Sequence, residues 1–308
     1  MSSEKCDKGT DCKTCGAAQK CSDEEKEAHE RARLKATMDL IKYKFMVLSG
    51  KGGVGKSSVA VNLAVALAQE GFKVGLLDAD IHGPNIPTMM GVAEERIESR
   101  PEGFLPITTE SGVKVISVAF ILRHKDDAII WRGPLKHTLL KRFLGEVAWG
   151  ALDYLVIDLP PGTGDEALST AHLINGVDGA IIVTTPQDVA LLDARKSITF
   201  LRQIKVPLIG VVENMSGFTC PHCNKEIDIF KVGGGEKAAH EMGVSFLGRI
   251  PLDPKMVICS DSGVPVVAQH PDSQAGEAFH RIVKGWRALL NFGSEPSSAP
   301  QCKLSGST

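Results

Sequence analysis

Phe45-Met-Val-Leu-Ser-Gly-Lys-Gly-Gly-Val-Gly-Lys-Ser-Ser58 decides how this chain is read. Its first four residues form a continuous apolar run, the pattern of a strand buried on both faces. Glycines follow at once, and Ser58-Val-Ala-Val-Asn-Leu-Ala-Val-Ala-Leu-Ala-Gln69 then reads as an apolar helix. Gly50, Lys51, Gly52, Gly53, Val54, Gly55, Lys56 and Ser57 together fit G-x-x-x-x-G-K-[ST], a phosphate loop. Glycines let successive backbone N–H groups converge on one anion at the positive end of the following helix. Lys56 is expected at the β/γ-phosphates and the Ser57 hydroxyl on magnesium, with Ser58 continuing the nucleotide-binding stretch. A glycine-rich turn can share this spacing by chance. The strand before it and the helix after it speak against that.

Outward from this loop the chain alternates strands and helices. Lys73-Val-Gly-Leu-Leu-Asp-Ala-Asp80 and Asp153-Tyr-Leu-Val-Ile-Asp158 are further buried strands, each ending in acids. Between them, residues 104–120 read as a hairpin around Gly112 and 134–149 as a helix opened by Pro134. Helix 165–174, strand 179–184, helix 188–204, strand 208–213, helix 235–242, strand 246–250 and a helix near 273–290 complete the pattern. Such alternation predicts an α/β domain with a mostly parallel twisted sheet and helices on both faces. Ligands of these sheets bind beyond the carboxyl ends of the strands, where the loop, Asp80 and Asp158 collect. Asp158 fits the acid that helps hold magnesium, and Pro160-Pro-Gly-Thr-Gly-Asp165 follows as a segment able to sense a γ-phosphate. Asp78 reads as a magnesium residue or as support for its loop. A cap or turn is the ordinary role of any single Asp.

Composition bounds the rest. With 308 residues, 43% of them hydrophobic, the chain can bury one large core or two smaller ones. A net charge of −2 gives no general basic field for nucleic acid or acidic membrane. No apolar stretch approaches the ~20 residues that span a bilayer. The polar, cysteine-rich N-terminus resembles neither a signal nor a transit peptide, so a soluble, cytoplasmic protein is expected. Three regions are expected: a cysteine-rich segment and charged helical spacer over 1–38, an ATPase domain over 39–291 with an insertion near 217–231, and a disordered tail over 292–308.

Six of the eight cysteines fall in two clusters. Cys6, Cys12, Cys15 and Cys21 have little apolar sequence between them, so only an inorganic core could order them. Four thiolates suit tetrahedral zinc or an iron–sulfur cluster equally, and free thiols are a third reading. Cys220-Pro-His-Cys223 is half a tetrahedral site. No second pair lies downstream, where Cys259 reads as a buried thiol and Cys302 as incidental. Two copies meeting on a two-fold axis would supply four ligands. His222 reads as a surface residue and His82 as a loop residue.

Lys51, a second lysine within the glycine run, marks the deviant loop K-G-G-x-G-K-[ST]. Here the chain resembles the dimeric ATPases that include MinD, the arsenite-pump ATPase and the nitrogenase iron protein. The resemblance implies that Lys51 reaches phosphates bound by the partner subunit, that Asp80 positions the attacking water, and that Asn214 reads the adenine edge. A turn-forming Asn after a strand is the plain alternative for Asn214. With Asp78-Ala-Asp-Ile-His-Gly-Pro-Asn85, Asp158-Leu-Pro-Pro-Gly-Thr-Gly-Asp165 and Cys220-Pro-His-Cys223, residues 40 to 290 closely resemble the Mrp/Nubp family of iron–sulfur carrier ATPases. That implies a homodimer which binds and slowly hydrolyses ATP with magnesium. It also implies a bridging 4Fe–4S cluster on Cys220 and Cys223 of both subunits, passed to apoproteins. Cys12, Cys15 and Cys21 match the branch that has a second cluster, whereas the spacing to Cys6 departs from it. A positioning or partition ATPase would end in a membrane helix or carry a DNA-binding surface, and Gly293–Thr308 offers neither. An iron-protein-like reductase needs cysteines in its switches, and Asp158 to Asp165 has none. A positioning-type P-loop ATPase with structural zinc at Cys220 and Cys223 is the alternative that survives.

Overall fold

The computed structural model describes residues 22–100, 103–122, 133–174 and 176–292. Cys6, Cys12, Cys15, Cys21 and Cys302, and the expected tail beyond Phe292, lie outside the described residues.

The main sheet runs in spatial order Phe246–Arg249, Leu208–Glu213, Gly179–Thr184, Ile41–Leu48, Leu152–Asp158, Val74–Asp78, Lys114–Ser117 and Ile107–Thr108. Neighbours are parallel throughout except the last pair, an antiparallel hairpin turning through Gly112 at φ 79°. Ile41–Leu48 lies at the centre, which explains its unbroken apolar run. Phe45 and Val47 enter the core shared with the Lys56–Gln69 helix, while Met46 and Leu48 enter the core on the opposite face with Phe143 and Ile198. Each successive side chain finds a buried face, as strand alternation demands. The Gln274–Phe292 helix closes the first core, and Trp286 packs edge-on against Phe45 at 4.4 Å between ring centroids.

This topology sets the acids beside the loop. Val47 registers with Asp158 across one strand pair, and Asp158 with Asp78 across the next. The phosphate loop therefore leaves the sheet next to two carboxylates.

Several elements differ from their sequence-based bounds. The helix expected over 134–149 runs Gly133–Gly145. Gly145 lies against the Leu34 backbone, where a Cβ would come within 3.2 Å of the Leu34 Cα. The chain then turns Trp149 into the core, its indole N–H donating to the Phe143 carbonyl at 3.2 Å. Pro254–Ser262 and Val266–Gln269 are helices in a stretch the sequence left unassigned. The charged Asp23–Asp39 helix starts in a capping box of Ser22 and Glu25 and is mostly exposed. It nonetheless seats Leu34 and Met38 in the core, and Lys141 pairs with Glu30 at 2.6 Å.

Candidate functional site

The glycines of the loop do what their spacing predicts. Gly53 and Gly55 both take φ 80°, the left-handed region that costs other residues strain. At Gly55 a Cβ would also meet the Asn214 amide at 2.3 Å. Left-handed Gly55 caps the Lys56–Gln69 helix without a side-chain bond, leaving the first N–H groups of that helix for an anion. At Gly50 the constraint is close approach: a Cβ would lie 2.3 Å from the Asp193 carbonyl carbon. A cavity of about 240 Å³ opens over the loop, walled by Gly53, Lys56, Ser57, Asp80, Asn85 and Pro161.

Lys56 is buried, 6% exposed, and its amine donates to Asp158 Oδ1 at 2.7 Å. It stands 4.0 Å from Asp80 Oδ2. Ser57 Oγ donates to Asp158 Oδ2 at 2.6 Å. Burial pushes the Asp158 carboxyl up, opposed by the Lys56 charge and its hydrogen bond. Behind it, Asp78 accepts from Ser117 Oγ at 2.9 Å and from the Asp80 backbone N–H at 3.2 Å. Burial, and then the neighbouring Asp158 charge, push Asp78 well above the usual carboxylate range. Ser57, in the cavity wall, and the buried Asp158 bonded to it offer adjacent hard oxygen donors, a set that fits magnesium. Asp78 faces Ser117 and supports the loop instead.

Asp80 Oδ1 accepts from the Gly83 N–H at 3.3 Å, so residues 80–83 form a tight turn. The Gly162 N–H donates to the Ser49 carbonyl at 2.8 Å, tying the 160–164 segment to the phosphate loop. Lys51 is half-buried, and no partner for its amine is found among the described residues. Asn214 is buried, and its Nδ2 donates to the Val54 carbonyl at 2.8 Å. It lines a second cavity of about 190 Å³ with Ser58, Met215, Pro251, Leu252 and Met256, apolar walls suited to a flat base.

Sequence reasoning missed Glu213. Wholly buried, it accepts from the Ser216 hydroxyl, from the Gly233 N–H at 2.8 Å and from the Gly235 N–H. It fastens both ends of the insertion to one strand end. The available signal was the acid ending that strand, the pattern already noted at Asp78 and Asp158.

Within the insertion, Phe218–Thr219 pairs antiparallel with Glu226–Ile227. The turn is closed by Cys220 N–H to Lys225 O and Asn224 N–H to Cys220 O, both 2.9 Å, with Asn224 left-handed at φ 54°. Cys220 is half-buried and Cys223 exposed. The N–H of His222, then that of Cys223 and the Cys223 thiol, hold the Cys220 thiol below its ordinary range. A thiol that ionises more readily in this way fits a soft metal centre. No group of three or more metal-ligating side chains occurs among the described residues, which at this hairpin offer the Cys220 and Cys223 pair.

A family model described as NUBPL iron-transfer P-loop NTPase, within ParA, matches residues 40–286. The chain belongs to this NUBPL iron-transfer P-loop NTPase family. An "Iron-sulfur cluster carrier protein" of Methanocaldococcus jannaschii is 53% identical over 274 residues, covering 89% of this chain and 94% of the relative. A "Cytosolic Fe-S cluster assembly factor NUBP2 homolog" of Dictyostelium discoideum is 47% identical over 240 residues, covering 77% and 91%. Among solved structures, a nucleotide-binding protein of Archaeoglobus fulgidus in complex with ADP superposes with a TM-score of 0.68 at 40% identity, covering 76% of this chain and 91% of that one. The cell-division ATPase MinD of Pyrococcus furiosus gives 0.59 at 26% identity, covering 80% and 99%. The NUBPL family thus shares its nucleotide fold with MinD, as the phosphate loop implied. The matched residues of this chain include the cysteine hairpin.

Proposed function

We propose that this protein is an ATP-hydrolysing carrier of iron–sulfur clusters, working as a homodimer that presents one 4Fe–4S cluster between two cysteine hairpins and passes it to apoproteins. The observation that carries the reading is a half-complete thiolate site, Cys220 and Cys223, on a hairpin that starts four residues after Asn214. A structural zinc within one chain would need two further ligands at the hairpin, and none lie there among the described residues. An apolar patch supports pairing of two copies. Ile227, Ile229 and Val232 are about half exposed, and Val189 and Leu192 project from the adjoining helix. Lys231 and Asp188 join the two parts of the patch at 2.5 Å.

In the nucleotide site, the phosphate-loop N–H groups and Lys56 bind and orient the phosphates. When bound, magnesium would be held by Ser57 and Asp158 and would supply charge neutralisation at the phosphates. Asp80, at the cavity wall, orients the attacking water, and Lys51 serves the opposite subunit. The same dimer would then complete both sites. Cys6, Cys12, Cys15 and Cys21 are proposed as ligands of a second cluster. Among the described residues no helix is long and apolar enough to cross a membrane, and we place the protein in the cytoplasm.

Anaerobic reconstitution with iron and sulfide tests the reading. A charge-transfer band near 400 nm, with about four iron and four sulfide per dimer from the hairpin site, is expected. Tightly bound zinc that iron does not replace would favour the structural alternative.

A further inference from the structure

A polar cluster behind the nucleotide cavity has no part in the reading above. Lys136, on the Gly133–Gly145 helix, donates to His82 Nε2 at 2.6 Å and to Glu166 Oε1 at 2.8 Å. These three residues come from three separate elements. His82 lies inside the turn that Asp80 closes by accepting from the Gly83 N–H. Glu166 stands in the first turn of the Asp165–Ile174 helix, directly after the 160–164 segment tied to Ser49.

Two of the three side chains are partly removed from water, while His82 is exposed. The Lys136 side chain is 15% exposed and that of Glu166 29%. Ordering a long lysine side chain costs rotamer entropy, which the bonds to both partners offset. The hydrogen bond from Lys136 also holds Glu166 below the usual carboxylate range, against its own partial burial.

We propose that Lys136 is a positioning residue for nucleotide hydrolysis: it locks the Asp80–Gly83 turn to the Asp165–Ile174 helix, so that the water-orienting carboxylate and the phosphate-sensing segment move as one body. Among the described residues Lys136 bonds to no residue of the phosphate loop, and it acts through His82 and Glu166. The inference rests on the hydrolytic reading of Asp80. Displacing that carboxylate by a fraction of an ångström weakens catalysis while leaving the phosphate cradle, and with it affinity, in place.

The test compares wild type with Lys136→Met, Lys136→Arg and Glu166→Gln for steady-state MgATP turnover, equilibrium nucleotide affinity and melting temperature. Lys136→Met is expected to lose about tenfold or more in turnover, with nucleotide affinity within about twofold of wild type. Lys136→Arg keeps a cation able to reach both partners and should retain most of the activity. Glu166→Gln preserves shape, removes the charge, and should lower turnover in the same selective way. It carries the test should Lys136→Met fail to fold. Wild-type turnover in Lys136→Met, or a loss matched by an equal fall in affinity, overturns the inference alone. A wild-type protein that binds nucleotide but never hydrolyses it overturns the hydrolytic reading and this inference together.

Discussion

Lys56 and Lys51 occupy one loop under opposite constraints. Lys56 is buried among Asp158 and Asp80, and its charge is satisfied within its own subunit. Lys51 is half-buried with no amine partner among the described residues, as a side chain meant for a second subunit would be. Lys51→Ala should therefore bind mononucleotide nearly as well as wild type yet hydrolyse it about 100-fold or more slowly, a cation supplied in trans being worth at least that. Turnover equal to wild type would remove the cross-subunit role. Asp78 leads to a prediction about pH. Its folded-state affinity for a proton exceeds its unfolded one, so between the ordinary aspartate range and the raised one the native state binds more protons. Stability accordingly falls as pH rises through that window and stays lower above it. Asp78→Asn keeps the shape and removes the buried charge. In magnesium-free buffer at pH 8 it should melt higher than wild type, by about 2–4 °C per kcal/mol of burial cost removed. The difference should vanish near pH 3. An Asn variant less stable at both pH values would show that the carboxylate's two bonds outweigh its burial. These loop residues were legible because each chemical role requires a residue type at a fixed spacing. Glu213 was not, since its Gly233 and Gly235 partners lie some twenty residues away across the insertion.

At the level of elements, legibility followed burial. The strand 208–213 and the helix 165–174 match their expected bounds, because the strand is apolar on two covered faces and the helix begins at a fixed loop. Pro254–Ser262 was missed although Asp253, Pro254 and Gly263 supply its start and stop. Asp253 caps it by accepting from the Lys255 N–H at 2.9 Å, and Gly263 ends it left-handed at φ 77°. Its apolar residues mislead: Val257 and Ile258 are 64% and 63% exposed, so no inward stripe appears in the sequence. The docking of the Asp23–Asp39 helix was hidden for a related reason, two buried residues among many charges. Glu213 supplies the element-scale prediction. Glu213→Gln retains one acceptor and loses the charge that receives the Gly233 and Gly235 N–H groups and faces Arg249 at 3.5 Å. A destabilisation of about 1.5–3 kcal/mol is expected, with opening of the insertion before the rest of the domain. Calorimetry with hydrogen exchange over residues 217–235 would read it. Uniform exchange with an unchanged melting temperature would show that the clamp contributes nothing.

At the scale of the whole molecule, two incomplete sites ask for the same partner. The phosphate loop carries a lysine surplus to its own cradle, and the hairpin carries two thiolates where a cluster needs four. In the proposed dimer, a copy related by a two-fold axis would supply both deficits at once. The two sites nevertheless stand on different supports. The nucleotide cradle belongs to the central strand and its helix, whereas Cys220 and Cys223 belong to a short hairpin beyond Glu213. Cys223 is exposed, so Cys223→Ala should leave nucleotide affinity and melting temperature at wild-type values. It should abolish the hairpin cluster entirely rather than halve it, because a bridging cluster with one thiolate from each subunit lacks half its ligands. Sedimentation of anaerobically reconstituted protein separates the possibilities. Wild type should shift toward dimer on loading iron and sulfide, and Cys223→Ala should show no such shift while still responding to MgATP. A variant that keeps its full hairpin iron content, or a wild type that loads iron as a monomer, would rule out a cluster shared between two copies.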